Sequence, residues 1–216
     1  MKLVKLWAAI AMVGALAASN QAMAANQLVN PGFEDPVTSD GAPFIGFWEA
    51  FNGGGTATSA NSTITPRSGA QDLRLEINNS NNNFAGAFQD AVVVPGNPAL
   101  WSVWHMSPSS PFDVGVEMRI EWRNSVSNTE ISRTLNSVTV PTNQYTQFSV
   151  ASTVPAGVDT ARLVYAIQSF GPELTNTGIV FVDDAFYDAV PEPASATLLA
   201  LGAIGSLVFG RRSRSQ

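Results

Sequence analysis

Residues 114–123 alternate without a break. Val114, Val116, Met118, Ile120 and Trp122 fall on one side, and Gly115, Glu117, Arg119, Glu121 and Arg123 on the other. A period of two belongs to a strand with one buried and one wet face; a helix would scatter both sets around its axis. Residues 72–78 repeat the pattern, with Leu73, Leu75 and Ile77 opposed to Asp72, Arg74 and Glu76. Further strand segments are read at 84–94, 100–106, 131–138, 145–151, 161–169 and 179–187, with shorter pieces near Leu28 and Phe47. Clusters of Gly, Pro, Asn and Ser separate them. About ten short strands, each with one apolar face, predict an all-β fold: a two-sheet antiparallel β-sandwich of jelly-roll type.

The two ends are built differently. Residues 1–24 carry Lys2 and Lys5, then an uncharged apolar run over 6–18, then Ala22-Met23-Ala24. Those are the parts of a signal peptide, whose small residues Ala22 and Ala24 mark cleavage by signal peptidase before Ala25. Residues 190–216 open on Val190-Pro191-Glu192-Pro193, continue uncharged from 194 to 209, and end in Arg211, Arg212 and Arg214. Prolines cannot continue a strand or enter a helix interior, so they divide the body from its tail. Sixteen apolar residues followed by arginines read as a short transmembrane helix with a cytoplasmic basic end and the body outside. The sandwich, residues 25–189, is thus flanked by an N-terminal signal helix and a C-terminal hydrophobic helix.

This tail resembles the PEP-CTERM sorting signal of Gram-negative bacteria, in which a Pro-Glu-Pro motif, a hydrophobic helix and a basic end are recognised by an exosortase. The resemblance implies membrane anchoring through the C-terminal helix, processing by exosortase, and a place at the cell surface or in the extracellular matrix. It also implies an organism that makes extracellular polysaccharide, a candidate partner.

Between 25 and 189 there are six arginines and no lysine against sixteen acidic residues, a net of −10. Such a surface repels phosphate backbones, so nucleic acid is excluded as a partner. With no cysteine in the chain, neither disulfides nor thiolate metal sites can form.

Leu28-Val29-Asn30-Pro31-Gly32-Phe33-Glu34, the Trp48 that follows, Ser68-Gly69, and the closing Phe181-Val182-Asp183-Asp184-Ala185-Phe186 resemble the corresponding segments of carbohydrate-binding-module-like (galactose-binding-like) jelly rolls. That likeness implies a structural Ca2+ joining the first and last strands, with Glu34 and Asp183 as side-chain ligands and carbonyls of 68–71 as additions. Calcium takes several hard oxygen donors. An inward-facing Asp183 would be a costly buried charge without such a partner.

Catalytic chemistry is thin. His105 is the only histidine, which excludes a histidine zinc triad, and no Gly-x-Ser-x-Gly elbow accompanies it. Glu117 and Glu121, four residues apart on one strand, sit about 13 Å apart, beyond glycosidase spacings. The aromatic residues are a better lead, because flat rings bind the apolar faces of sugars. Trp48, Trp101 and Tyr145 are the candidate ligand-binding residues, whereas Trp122 falls on an apolar strand face and reads as core. The chain therefore reads as an exported, non-catalytic surface protein whose jelly roll binds glycans. A purely structural or adhesive matrix protein without sugar affinity and a polysaccharide hydrolase are the other readings.

Overall fold

The computed structural model describes residues 25–109, 112–170 and 176–189. The signal segment, the Pro-Glu-Pro motif and both expected terminal helices lie outside them. None of the described residues forms a helix long and apolar enough to cross a membrane. The described residues form eleven strands: β1 (Glu49–Asn52), β2 (Ala57–Ser62), β3 (Asp72–Ser80), β4 (Phe84–Val92), β5 (Pro98–Met106), β6 (Gly115–Asn124), β7 (Thr129–Arg133), β8 (Ser137–Thr139), β9 (Thr146–Thr153), β10 (Thr160–Gln168) and β11 (Asn176–Asp188).

They form two sheets facing one another. Sheet A runs β1-β4-β10-β6-β7, with β8 also paired to β6, and sheet B runs β2-β3-β11-β5-β9. Every ladder between these strands is antiparallel. The fold is the antiparallel sandwich that the alternation predicts, and Asn26–Val190 make one compact unit.

Alternation places the core. Val116, Met118, Ile120 and Trp122 from β6 meet Leu73, Leu75 and Ile77 from β3 in one buried cluster. Leu163, Tyr165 and Ile167 of β10 and Val180, Val182 and Tyr187 of β11 complete its centre. Burying side chains of this size contributes about 1.5–3 kcal/mol each.

Three readings of the sequence need correction. Leu28 is buried, but its segment forms no strand. It is tied to the end of β11 by Gln27 N–H to Tyr187 O (2.8 Å) and by Asn26 Nδ2 to Ala185 O (2.8 Å). The single strand expected at 131–138 is two, β7 and β8, because Thr134 turns inward to bond Ile120 through both its backbone N–H and its hydroxyl. Strand β2, Ala-Thr-Ser-Ala-Asn-Ser, was not expected at all: it is an edge strand of small polar residues in which only Ala57 is buried.

Candidate functional site

The outer face of sheet A is organised in three columns by strand register. Gly86 of β4 lies beside Ala166 of β10 and then Glu117 of β6; Phe88 beside Val164 and Arg119; Asp90 beside Arg162 and Glu121. Along this face β4 presents Phe84 and Phe88, β10 presents the small Val164 and Ala166 with Arg162 at one end, and β6 presents the charged Glu117, Arg119 and Glu121.

The aromatic column is a strip of four phenylalanines. Phe51 of β1 has its ring centroid 6.1 Å from both Phe84 and Phe88, and Phe44 stands edge-on to Phe88 at 5.1 Å. Phe84 is 40% exposed and the other three are half-buried. Glycine at 86 is what admits Phe51, since a Cβ there would come within 2.4 Å of its ring. Flat, preorganised rings of this kind offer apolar area at little entropic cost.

The charged column is compensated internally. Arg119 bridges Glu117 and Glu121, and Arg123 reaches Glu121 at 3.3 Å. Arg162 forks onto Asp90 at 2.8 and 3.0 Å while its guanidinium lies 4.0 Å from the Phe88 ring centre. Asn136 and Gln168 add amide contacts to Glu117. Charge, amide and aromatic groups therefore share one surface, the combination that polyhydroxylated ligands use.

A second polar cluster lies on the outer face of sheet B. By alternation Asp72 and Asp183 point away from the core, yet neither is exposed at all, because the segment between β2 and β3 folds over them. Asp183 Oδ2 accepts the backbone N–H groups of Arg67 (2.8 Å) and Ser68 (2.9 Å), and Oδ1 accepts that of Asp184 (2.7 Å). Glu34 takes the N–H groups of Ala70 and Gln71 from the same segment. Gly69 makes this possible: its φ is +62°, and a Cβ there would stand 1.8 Å from Glu34 Oε1. Asp183 thus faces away from the core yet is buried, its carboxylate met by amides of the covering segment.

Burial raises both acids. Desolvation is the largest cause for each, and it pushes Asp72 up to about 6 with the neighbouring Asp183 charge adding to the effect. Asp72 Oδ1 is buried without a hydrogen-bond partner. Asp183 Oδ1 and Glu34 Oε1 both come within 4.0 Å of the point where a Cβ on Gly32 would lie. No group of three or more His, Cys, Asp or Glu among the described residues is placed to hold a metal.

The aromatic residues chosen from the sequence do not form a platform. Trp48 is 3% exposed and Trp101 fully buried. They pack 6.3 Å apart, with Phe33 4.8 Å from Trp48, and their indole N–H groups go to Asn30 O and Val164 O. Tyr145 lies against sheet B, half-buried, its hydroxyl donating to Thr65 O at 2.8 Å. The structure brings forward Phe44, Phe51, Phe84 and Phe88 instead. His105 is buried, hydrogen-bonded to Tyr165 at 2.7 Å and stacked on Phe148, and burial lowers it to about 4.

Comparison with known proteins adds two findings. Residues 189–215 match the PEP-CTERM protein-sorting motif, which marks the chain for export. No curated protein matches. Among solved structures the sandwich resembles the enzymatically active domain of tailspike protein 4 of bacteriophage CBA120, with a TM-score of 0.58 and 13% identity. That likeness covers 76% of this chain and 21% of the other, so the chain spans about a fifth of that protein. A family 61 carbohydrate-binding module in complex with β-1,4-galactotriose aligns at TM-score 0.49 and 12% identity, over 77% of this chain and 99% of the module. A family 16 carbohydrate-binding module gives 0.49 and 16%, over 75% and 99%.

Proposed function

We propose that the chain is an exported cell-surface or extracellular-matrix protein, non-catalytic, whose sandwich binds glycans through the outer face of sheet A. The observation that carries this reading is the Phe44–Phe51–Phe84–Phe88 strip beside the charged column of β6 and β10. The sorting motif supports the location: exosortase processes the tail after the C-terminal helix has held the chain in the membrane. Glu117, Glu121 and Asp90 on the sheet A face are each tied to a guanidinium, an arrangement suited to fixing a surface rather than to delivering a proton. A glycan array probed with residues 25–189 tests it. Binding that disappears in the Phe51→Ala, Phe84→Ala, Phe88→Ala variant supports the reading, and an array silent at all concentrations rejects it.

The matrix-adhesion reading is favoured by a different observation. Leu135, Val138 and Val140 on the β7–β8 edge are 91%, 75% and 74% exposed, and exposed apolar edges join other chains. Concentration-dependent sedimentation abolished by Val138→Lys would favour adhesion over sugar binding.

We also propose a structural Ca2+ beside Gly32. The residues there fit a hard cation in donor type: Asp183 Oδ1 accepts one hydrogen bond and keeps a lone pair, Glu34 Oε1 comes within 4.0 Å of the same point while accepting the N–H groups of Ala70 and Gln71, and backbone carbonyls or water would complete the shell. When bound, the ion would supply positive charge between two like-charged carboxylates. A melting temperature that neither falls with chelator nor rises with added calcium would remove this proposal.

A further inference from the structure

The carbohydrate reading leaves open which glycans the face accepts, and the ion pairs of the sandwich answer that. Its positively charged side chains are the six arginines, and each one is in a salt bridge. Arg67 pairs with Asp184 and Arg74 with Glu76; Arg119 bridges Glu117 and Glu121; Arg123 joins Glu121, Arg133 joins Glu130, and Arg162 joins Asp90. There is no lysine between 25 and 189. His105 is buried, with its proton affinity lowered to about 4, and adds no charge near neutrality. Among the described residues no side-chain cation is left over for a uronate, sulfate or phosphate. An anionic polymer would have to displace a carboxylate already forked onto its guanidinium and approach a domain of net charge −10, against both local pairing and long-range repulsion.

Where the aromatic strip ends there is a recess of about 360 Å3, within the size range of small-ligand sites. One wall is the Pro43-Phe44-Ile45 segment, held against β4 by Asp90 N–H to Phe44 O (3.1 Å) and the Ile45–Asp90 bridge. The opposite wall is the β6–β7 turn with Asn124 and Asn128, drawn over the sheet by Arg123 Nη2 donating to Asn128 O at 2.9 Å. The floor is Thr160 between the two. The Asn124 and Asn128 carboxamides turn their oxygens to protein donors, Ser127 and Arg123, which leaves their NH2 groups to serve hydroxyl oxygens. An apolar wall facing amide donors, with no unpaired cation beside it, suits an uncharged sugar ring.

We infer that this recess is a binding site for one uncharged sugar residue and that the module selects neutral over anionic polysaccharide. The inference rests on the glycan-binding function proposed above.

Calorimetric titration of residues 25–189 with cellohexaose, xylohexaose and β-1,4-galactotriose as neutral probes, and with oligogalacturonate and alginate oligomers as anionic ones, separates the possibilities. The expected result is binding to at least one neutral probe, changed less than twofold between 20 and 500 mM NaCl, with no heat from either anionic set. Asn124→Ala with Asn128→Ala should weaken it at least tenfold while leaving the melting temperature within a few degrees. Uronate binding that falls with salt would overturn the selectivity and leave the glycan reading standing. Neutral binding untouched by the two asparagine substitutions would overturn the recess. Silence from all five probes would count against both inference and glycan reading, and the array arbitrates between them.

Discussion

Two regions of this sandwich place charge on the outside of a sheet, and they treat it in opposite ways. On sheet A, Glu117, Glu121 and Asp90 are met by guanidinium groups, and the surface stays open beside the phenylalanine strip. On sheet B, Asp183 and Glu34 are met by backbone amides of the 67–71 segment, which closes over Asp183 while Glu34 stays exposed at its edge. The sheet A ion pairs are themselves largely buried, with side chains 8–15% exposed, so each carboxylate is held by its guanidinium and breaking one pair strands a charge. A buried carboxylate that organises several amides is a clamp, since its loss strands every donor it held. One region thus leaves an aromatic face uncovered for the ligand proposed above, and the other holds the fold shut.

The largest expected effect follows from that clamp. Asp183→Ala leaves three backbone N–H groups without their acceptor, so chemical denaturation should show a loss of about 3–5 kcal/mol. A loss under 1 kcal/mol would mean that the 67–71 segment is held by other contacts. Next comes the pH response of the same corner. Asp72 is raised from 3.8 to about 6, so the folded state binds its proton more tightly than the unfolded chain does. Its contribution to stability is then present below pH 3.8 and is lost as pH rises through 6. Asp72→Asn should stabilise the protein at pH 7 by on the order of 1–3 kcal/mol and flatten the stability profile between pH 4 and 6. An unchanged profile would show that Asp72 titrates normally.

On the open face the expected effects move from stability to binding. Phe84→Ala removes a 40% exposed ring and should cost about 1 kcal/mol of stability or less, while lowering glycan affinity by about 1–3 kcal/mol, the cost of losing one stacking partner. Equal losses in both would make the strip a packing element. Smallest of all, Arg133→Ala should change stability by less than about 0.5 kcal/mol, because its side chain is 46% exposed and exposed pairs contribute little.

The same contrast explains what could be read from the chain alone. Where large apolar residues alternate with charges, as in Val116–Trp122, both the strand and its buried side are legible. In β4 the rule inverts: Ala85, Ala87 and Ala91 are buried while Phe84 and Phe88 point outward. Size and hydrophobicity then indicate the wrong face, and the strip is not legible from them. The alternation of alanine with phenylalanine was the available signal, small residues being what a closely packed interior admits. Trp48 and Trp101 misled for the complementary reason: a large ring fills a core as well as it stacks on a sugar. The sheet B corner needed contacts between residues 34, 67–71 and 183, which no local pattern encodes.

The account depends most on the proposal that the outer face of sheet A meets carbohydrate. Backbone amide shifts followed by 1H–15N correlation during titration with a neutral β-1,4-linked oligosaccharide test this directly. Perturbations should concentrate on β4, β10, the β6–β7 turn and residues 43–45, and leave Arg67–Gln71 still. Shifts confined to sheet B, or spread evenly over both faces, would contradict the assignment.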